Sequence, residues 1–372
     1  MIKFLTPAIA QRYRGKTCLL RVDLNVEPGA EDATNRVDAI LPTIRLLLDY
    51  NAKVVLLSHR GRPNVSAKSK VQRVKWSLKP FAWTFSKKLN TPVHFISHAS
   101  LLEAFGSVRP QHSNILQNVG MLWREAEDRV LIIENLRFFP GEEANDATFA
   151  RHLAALGDFY VNDAFAVSHR KNASVVAITR FLPSYGGLHL KEELIRLDGV
   201  MKNPKHPLVV VVGGAKVGDK LRSLRGILKR TDAVLLGSSV FNEEDIPNLS
   251  KLCFPDDIKA HGDLAWDIGP WTMERYRVHI AKANTIVWNG SPGFYEKKGF
   301  SNGTRAVWKA ILSASRRKPS ARIVVGGGET VASLKQLRIA KRIPKNIFIS
   351  TGGGAMLSYL AGEKLPGVEA LK

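Results

Sequence analysis

Short apolar runs alternate along the chain with longer stretches whose apolar residues recur every three or four positions. Residues 17–26, 53–58, 92–96, 130–133 and 158–161 read as strands, with helical spacing at 38–50, 77–89 and 145–156. Pro42 stands inside the first helical stretch, which predicts a break or a late start there. Between Phe181 and Pro207 the rhythm changes: Gly186-Gly187 precedes one helical stretch closed by Gly and Pro signals. The alternation resumes with strands at 208–212, 233–236, 285–288, 322–325 and 346–350, and helices at 221–230, 304–315 and 355–360. Residues 237–284 read as an irregular region. The strand runs lack polar alternation, so both faces are expected to be buried, as in parallel sheets covered by helices. The expected class is α/β: two lobes, each a parallel sheet flanked by helices, joined by a hinge helix. The lobes fall at residues 1–180 and 208–354, with the connecting helix in 181–207 and a separate terminal segment at 355–372.

In open parallel sheets, ligands sit beyond the carboxyl ends of the strands. Here those ends carry Asp23 and Asn25, then His59, Gly61 and Arg62, then Asn135 and Arg137, then Asn162, Asp163, His169 and Arg170. The arginine fork donates two hydrogen bonds and suits carboxylates and phosphates. Any one of these residues can equally be a cap or a loop tie, but the set repeats at four strand ends and points to an anionic ligand. In the second half three strand ends open into glycine turns, at Gly213-Gly214, Gly326-Gly327-Gly328 and Gly352-Gly353-Gly354. The first continues into Lys216 and Lys220, which share a face once a helix starts, with Asp219 near that start. Strand, glycine turn and helix start make a phosphate cradle. An ordinary sharp turn shares the pattern, and the GxxxxGK[ST] spacing is absent. Three such turns on one sheet edge describe a phosphate-rich ligand.

Composition alters this picture in one respect. Lys and Arg number 55 against 33 Asp and Glu, a net charge of +22, which predicts attraction to nucleotides, phosphorylated metabolites, nucleic acid or acidic surfaces. The charge is dense at 68–79, 316–322 and 335–345, where a solvated basic surface is the simpler reading. Cys18 and Cys253 form neither a disulfide framework nor a CxxC pattern, so a reducing cytoplasm is expected. No apolar run approaches a membrane span, and no secretory or lipidation signal is present.

RVDLNV, SHRGRP, ENLRFFPGEE, VNDAFAVSHR, GGAKVGDK, WNGSPGFYE, GGGET, STGGGA and LPGVEAL occur in the order found in phosphoglycerate kinases, so the chain resembles that family from about Arg21 to Leu371. The resemblance implies a two-lobed hinge enzyme, a cytoplasmic monomer. It would move a phosphoryl group reversibly from 1,3-bisphosphoglycerate to Mg-ADP, giving 3-phosphoglycerate and ATP. Asp23, Asn25, Arg36, His59, Arg62, Arg137 and Arg170 map onto the family's glycerate-binding residues. Gly214, Lys216, Lys220, Asn289, Glu296 and the segment Gly327, Gly328, Glu329 and Thr330 map onto its nucleotide-binding residues. Glu329 stands where the family has a magnesium-holding aspartate. Arg36 and Lys216 are the expected charge stabilisers, with backbone donors at Gly352 and Gly353. The terminal segment, with LPGVEAL, is expected to return to the first lobe.

Departures cluster on the nucleotide side. Ala166 and Ser291 replace a glycine and a proline of the family pattern, and the adenine turn reads Gly237-Ser238-Ser239. The stretch from there to Asp267 is a few dozen residues shorter than usual. A looser adenine pocket with weak discrimination between ADP and GDP or IDP is expected; strong selection for ADP would mean that the remaining chain rebuilds the pocket, with Trp266 a candidate for covering the base. The alternative is a catalytically degenerate relative that binds anions or nucleic acid, which +22 permits although no RNP-type, zinc-finger or helix-turn-helix pattern is visible.

Overall fold

A computed structural model describes residues 2–29, 31–63, 70–106, 129–242, 251–339 and 342–372. Residues 64–69, 243–250 and 340–341, which fall on two of the dense basic stretches and on the altered segment after Ser239, lie outside it. The chain divides into two units, Met1–Glu192 with Leu365–Lys372, and Glu193–Lys364.

The first unit is built on six parallel strands: β1 (Thr17–Arg21), β2 (Lys53–Leu57), β3 (Val93–Ile96), β4 (Val130–Ile133), β5 (Phe159–Asn162) and β6 (Ser184–Gly186). Their order across the sheet is β3-β4-β2-β1-β5-β6. Leu20 pairs in register with Leu56 on one side and Val161 on the other. Such runs are buried on both faces, and the helices Glu31–Asp49 and Lys79–Leu89 press Ile40, Ile44, Leu47, Phe81 and Phe85 into the core beside them. The first of these helices starts before residue 38 and runs straight through Pro42, against the expected break. Proline forfeits one ladder bond, and the buried stripe of Ile40, Leu41, Ile44 and Leu47 holds the helix across it. Strand β1 stops at Arg21 rather than at residue 26, because the following backbone leaves the ladder for side chains: Leu24 N donates to Ser58 Oγ (3.0 Å) and Asn25 N to Asp23 Oδ1 (3.0 Å).

The second unit repeats the plan with β7 (Leu208–Val212), β8 (Ala233–Leu236), β9 (Leu252–Cys253), β12 (Thr285–Asn289), β13 (Arg322–Gly326) and β14 (Ile347–Ser350), ordered β14-β13-β12-β7-β8-β9 and parallel throughout. Residues 237–284, expected to be irregular, instead hold β9, an antiparallel hairpin of β10 (Ile258–His261) and β11 (Leu264–Ile268), and the helix Pro270–Lys282. That helix buries only Thr272, Tyr276 and Ile280, a stripe too narrow and too polar to give a helical period. The helix expected at 221–230 is two short ones, Val217–Ser223 and Arg225–Leu228.

The helix Leu188–Met201 lies where the connector was expected, and the unit boundary falls within it, between Glu192 and Glu193. Asp163 receives its early N–H of Leu190 (2.9 Å), so this strand-end carboxylate is a cap. The division expected at residue 354 moves: the helix Gly354–Leu360 stays with the second unit, where a Cβ on Gly226 would lie 2.4 Å from Ala361 O. Only Leu365–Lys372 joins the first unit. There Gly367 N donates to Ser168 O (2.8 Å) and Gly367 packs against Val175.

Candidate active site

In the first unit the ends of β1, β2, β4 and β5 gather charge around His59, which is buried (2% exposed). Arg21 NH2 donates to His59 Nδ1 (3.1 Å). A guanidinium has only donors, so Nδ1 must accept, and in a neutral imidazole the proton then sits on Nε2. The ring is neutral: burial, followed by the charges of Arg21, Arg137, Arg170 and Arg36, holds its pKa well below the ordinary value. His59 Nε2 has no hydrogen-bond partner among the described residues. The structure thus offers a buried N–H ringed by arginines, an arrangement whose chemistry suits an anion.

The other expected residues share this strand edge. Arg36 pairs with Asp23, and Asn25 Oδ1 accepts from Gly61 N (2.8 Å). Arg137 bonds the Gly61 carbonyl and pairs with Glu143 (3.1 Å). Arg62 and Arg170 stand close enough to lower the Arg137 pKa, after burial. His189, at the start of the helix Leu188–Met201, feels both Asp23 and Arg36, and burial pulls its pKa down to about 4.

Several residues that hold this arrangement escaped sequence reading. Arg21 (1% exposed) donates to Ser174 Oγ (2.9 Å), which in turn donates to the fully buried Glu142 (2.6 Å). Arg60 lies over Trp76 and donates to the carbonyls of Val26 (3.1 Å) and Lys75 (2.7 Å). An arginine inside the apolar run of β1 was the available signal for the first. Nothing separates Arg60 from Arg62 in the sequence, yet Arg60 is buried and Arg62 exposed.

In the second unit the glycine turns follow β7, β13 and β14, and Asn289-Gly290 follows β12 between the first two of these. Gly290, at φ 92°, packs so tightly that a Cβ there would lie 1.9 Å from Gly213 O, which only glycine permits. Gly214 N donates to Ser291 O (2.7 Å), so the serine that replaces a proline keeps the turn through its backbone. Beside this junction is a cavity of about 400 Å³ whose lining includes Gly214, Lys216, Glu296, Glu329, Trp266 and Phe294. Lys216 is itself left-handed (φ 58°) and caps the helix Val217–Ser223, so it does not share a helical face with Lys220. Lys220 folds back and donates to Gly213 O (2.7 Å). The position a Gly214 Cβ would take lies 3.1 Å from Lys220 Nζ and 3.5 Å from Glu329 Oε2, which puts the ammonium, the carboxylate and the turn together.

Asn289 and Thr330 are buried and work from behind. Thr330 Oγ1 accepts from Gly290 N (2.7 Å) and Asn289 O from Gly213 N (3.1 Å). Gly327, at φ 92°, lies against Asn289, while Gly328 opens the helix Gly328–Gln336 with free space around it. Gly352 does not offer its amide outward, since Gly352 N donates to Ser350 Oγ (3.1 Å). Gly353 caps the helix Gly354–Leu360, whose first amides lack intrahelical partners. Behind that turn Glu193, fully buried and unflagged by its sequence context, accepts from Ser350 Oγ (2.8 Å), Thr351 N (2.7 Å) and Thr351 Oγ1 (3.0 Å).

The family model described as phosphoglycerate kinase matches residues 10–243 and 239–363. The phosphoglycerate kinase of Chloroflexus aggregans is 34% identical over 417 residues, covering 97% of each chain. That of Chlorobium phaeovibrioides is 36% identical over 408 residues, 96% of this chain and 97% of its own. Among solved structures, phosphoglycerate kinase from Pyrococcus horikoshii OT3 is similar with a TM-score of 0.77 at 30% identity, covering 96% of both chains. Both alignments are longer than the 372 residues of this chain, so these relatives carry segments that it lacks. The two matched stretches meet at residues 239–243, at the head of the shortened region. Twin parallel sheets, matched sequence across nearly the whole length and a preserved order of strand-end motifs together make this chain a member of the phosphoglycerate kinase family.

Proposed function

We propose that the protein catalyses reversible phosphoryl transfer from the acyl phosphate of 1,3-bisphosphoglycerate to ADP, giving 3-phosphoglycerate and ATP. The observation that carries this reading is His59 Nε2–H, a buried donor without a partner among the described residues, ringed by arginines and suited to an anionic substrate oxygen. Arg36, Arg62, Arg137 and Arg170, with Asn25 and Asp23, form the glycerate set. Arginine forks hold its carboxylate and phosphate in fixed orientation. In the second unit, Lys216, Lys220, Glu296, Glu329 and the turns at Gly214 and Gly327-Gly328 form the nucleotide phosphate set, with Asn289 and Thr330 holding those turns from behind.

No general base is needed. The carboxylate of 3-phosphoglycerate is ionised at neutral pH and attacks or leaves without giving up a proton. Catalysis is then positioning and charge stabilisation. Arg36 neutralises the acyl-phosphate side and Lys216 the nucleotide phosphates, while Gly353 and its helix start supply backbone donors.

Magnesium fits the residues present. Among the described residues no cluster of three or more His, Cys, Asp or Glu side chains could cage a metal. Glu329 and Glu296 both line the cavity, and Mg²⁺ is commonly held by one or two carboxylates plus substrate phosphates and water. When bound, it would neutralise the phosphate oxygens of the nucleotide. Among the described residues no helix is long and apolar enough to cross a membrane. The two free cysteines suit a reducing compartment, and cytoplasmic work as a monomer is part of the proposal.

The test is ATP formation from 1,3-bisphosphoglycerate and ADP, followed in a coupled assay. Turnover is expected. Arg36→Ala and Lys216→Ala should each lower kcat by 100-fold or so with smaller changes in KM, as for interactions made mainly in the transition state. A purified, folded protein without turnover would overturn the reading. Variants that change KM alone would reduce both residues to ground-state binders.

A further inference from the structure

We propose that a second cavity of the Glu193–Lys364 unit, away from the glycine turns, binds a small carboxylate that carries an apolar tail. This cavity, about 340 Å³, lies between the helix Leu188–Met201 and the starts of β13 and β14. Its size is that of a small-ligand pocket. The strands here are parallel, so the glycine turns all lie at their other ends. Arg322 opens β13 and Gly326 closes it, a separation of about 13 Å along the strand. No residue lines both this cavity and the one beside Gly214.

Two arginines and no carboxylate line the cavity. Arg322 is half-buried, one position before the buried run Ile323–Val325. Its NH1 donates to Gly199 O (2.6 Å) and to Asn203 O, which caps carbonyls at the end of the helix Leu188–Met201. Those two bonds use both hydrogens of NH1 and fix the plane of the guanidinium. Its Nε and NH2 form no hydrogen bond or ion pair among the described residues. That edge carries two parallel N–H groups, the fork that matches a carboxylate. Helix capping accounts for NH1 and leaves the fork unexplained. The neighbouring Asn346 does not compete for it. Its Oδ1 accepts from Ser315 Oγ (2.5 Å), and its Nδ2 donates to Ser315 O (3.1 Å) and Lys318 O (3.2 Å). The approach is basic as well, since Arg316, Arg317 and Lys345 are exposed within a few residues of the lining.

An apolar wall completes the site. Phe348 of β14 stands in register beside Val324 of β13, and both line the cavity. Arg196 lies over the Phe348 ring, 5.7 Å from its centroid. Ile195 lines the same cavity from the helix and is 59% exposed. One exposed isoleucine is ordinary on a protein surface. Here it faces the same space as the arginine fork and a half-buried phenylalanine. Inorganic phosphate would satisfy the fork and gain nothing from the wall. A neutral alcohol would cover the wall and forgo the charge-assisted bonds. A carboxylate with a tail uses both.

Calorimetry on the whole protein tests this with acetate, butanoate, hexanoate, octanoate, 1-octanol and inorganic phosphate. Each is titrated in saturating ADP and 3-phosphoglycerate, and octanoate also without them. Affinity should rise several-fold for each two carbons added until the cavity is filled. Octanoate should bind at least 10-fold more tightly than acetate, phosphate or 1-octanol, and within 3-fold of its affinity when ADP and 3-phosphoglycerate are left out. Arg322→Gln and Ile195→Asp should each weaken octanoate by 10-fold or more while ADP affinity stays unchanged. Ile195 is exposed, so its variant keeps the test open should Arg322→Gln fail to fold. Displacement of octanoate by ADP or 3-phosphoglycerate would place it in one of the other sites and overturn the proposal. Octanoate affinity unchanged in Ile195→Asp, or no tighter than that of phosphate or 1-octanol, would overturn it too.

Discussion

Glu329 stands in the first turn of the helix Gly328–Gln336, exposed to the cavity and beside Lys220 and Gly214. Its position favours the helix dipole as well as a metal, and the two roles separate by measurement. Glu329→Gln should raise the Mg²⁺ concentration for half-maximal rate several-fold, whereas Glu329→Asp should keep the wild-type response. An unchanged Mg²⁺ response in Glu329→Gln, with only a lower Tm, would leave the carboxylate as a helix cap. His59 gives a pH prediction. Its folded pKa lies well below the unfolded value of about 6.5, so the unfolded chain binds the extra proton and stability falls as pH drops below about 6.5. His189, held at about 4, adds to this loss, while Asp163, pushed up to about 6 by burial, opposes it between about pH 4 and 6. His59→Gln, which keeps a donor, should therefore lose less Tm between pH 7 and pH 5 than the parent, and parallel curves would reject the linkage. Strand-end arginines and His59 were legible in the sequence because position alone marks them. Arg21, Glu142 and Arg60 were not, because a buried charge is recognised by its partners. Arg21→Ala would strip the buried Glu142 of a cation 3.9 Å away and should cost about 3–5 kcal/mol in denaturant unfolding.

The strands were the most legible elements, since a run of Val, Leu and Ile buried on both faces admits few other readings. Val130–Ile133 is found where its apolar run lies, while β1 is cut short where Ser58 and Asp23 draw the backbone out of the ladder. Helices were read less well. The helix Pro270–Lys282 was invisible because one of its three buried positions is Thr272, whose hydroxyl bonds Asp257 (2.7 Å) rather than marking an apolar stripe. The β10–β11 hairpin was missed because β10 is exposed along its whole length, so neither face imposes a period of two. At this scale Glu193 makes a firm prediction. It ties the helix Leu188–Met201 to the turn after β14, and removing it leaves the Ser350 hydroxyl and the Thr351 N–H without an acceptor. Glu193→Ala should cost about 2–4 kcal/mol by chemical denaturation. Glu193→Gln, which keeps one acceptor, should recover about half of that. Equal loss in both would show that the charge itself is what the turn requires.

For the molecule as a whole, the family was legible from ordered motifs, and the class from alternation. Unit boundaries were less so, because the helix Gly354–Leu360 carries no sign of which core it joins until the packing of Gly226 is seen. The +22 charge predicts electrostatic steering of anionic substrates. KM for 3-phosphoglycerate and for nucleotide should rise between 20 and 150 mM salt, about as the Debye length shortens, and more steeply than in a near-neutral relative. A flat response would remove steering. The placement of Leu365–Lys372 has a consequence for how the chain is made. Asn162 and Ser168 find partners at Gly367, so the first unit, though begun early, lacks its last piece until all of Glu193–Lys364 has been translated. At roughly 5–20 residues per second that interval is on the order of ten seconds or more. Through it the strand end at Asn162 stays uncovered on the ribosome. Stalled nascent chains ending before Leu365 should then be cut by protease in the first unit more readily than released chains. The order of synthesis would make the second unit the earlier one to finish.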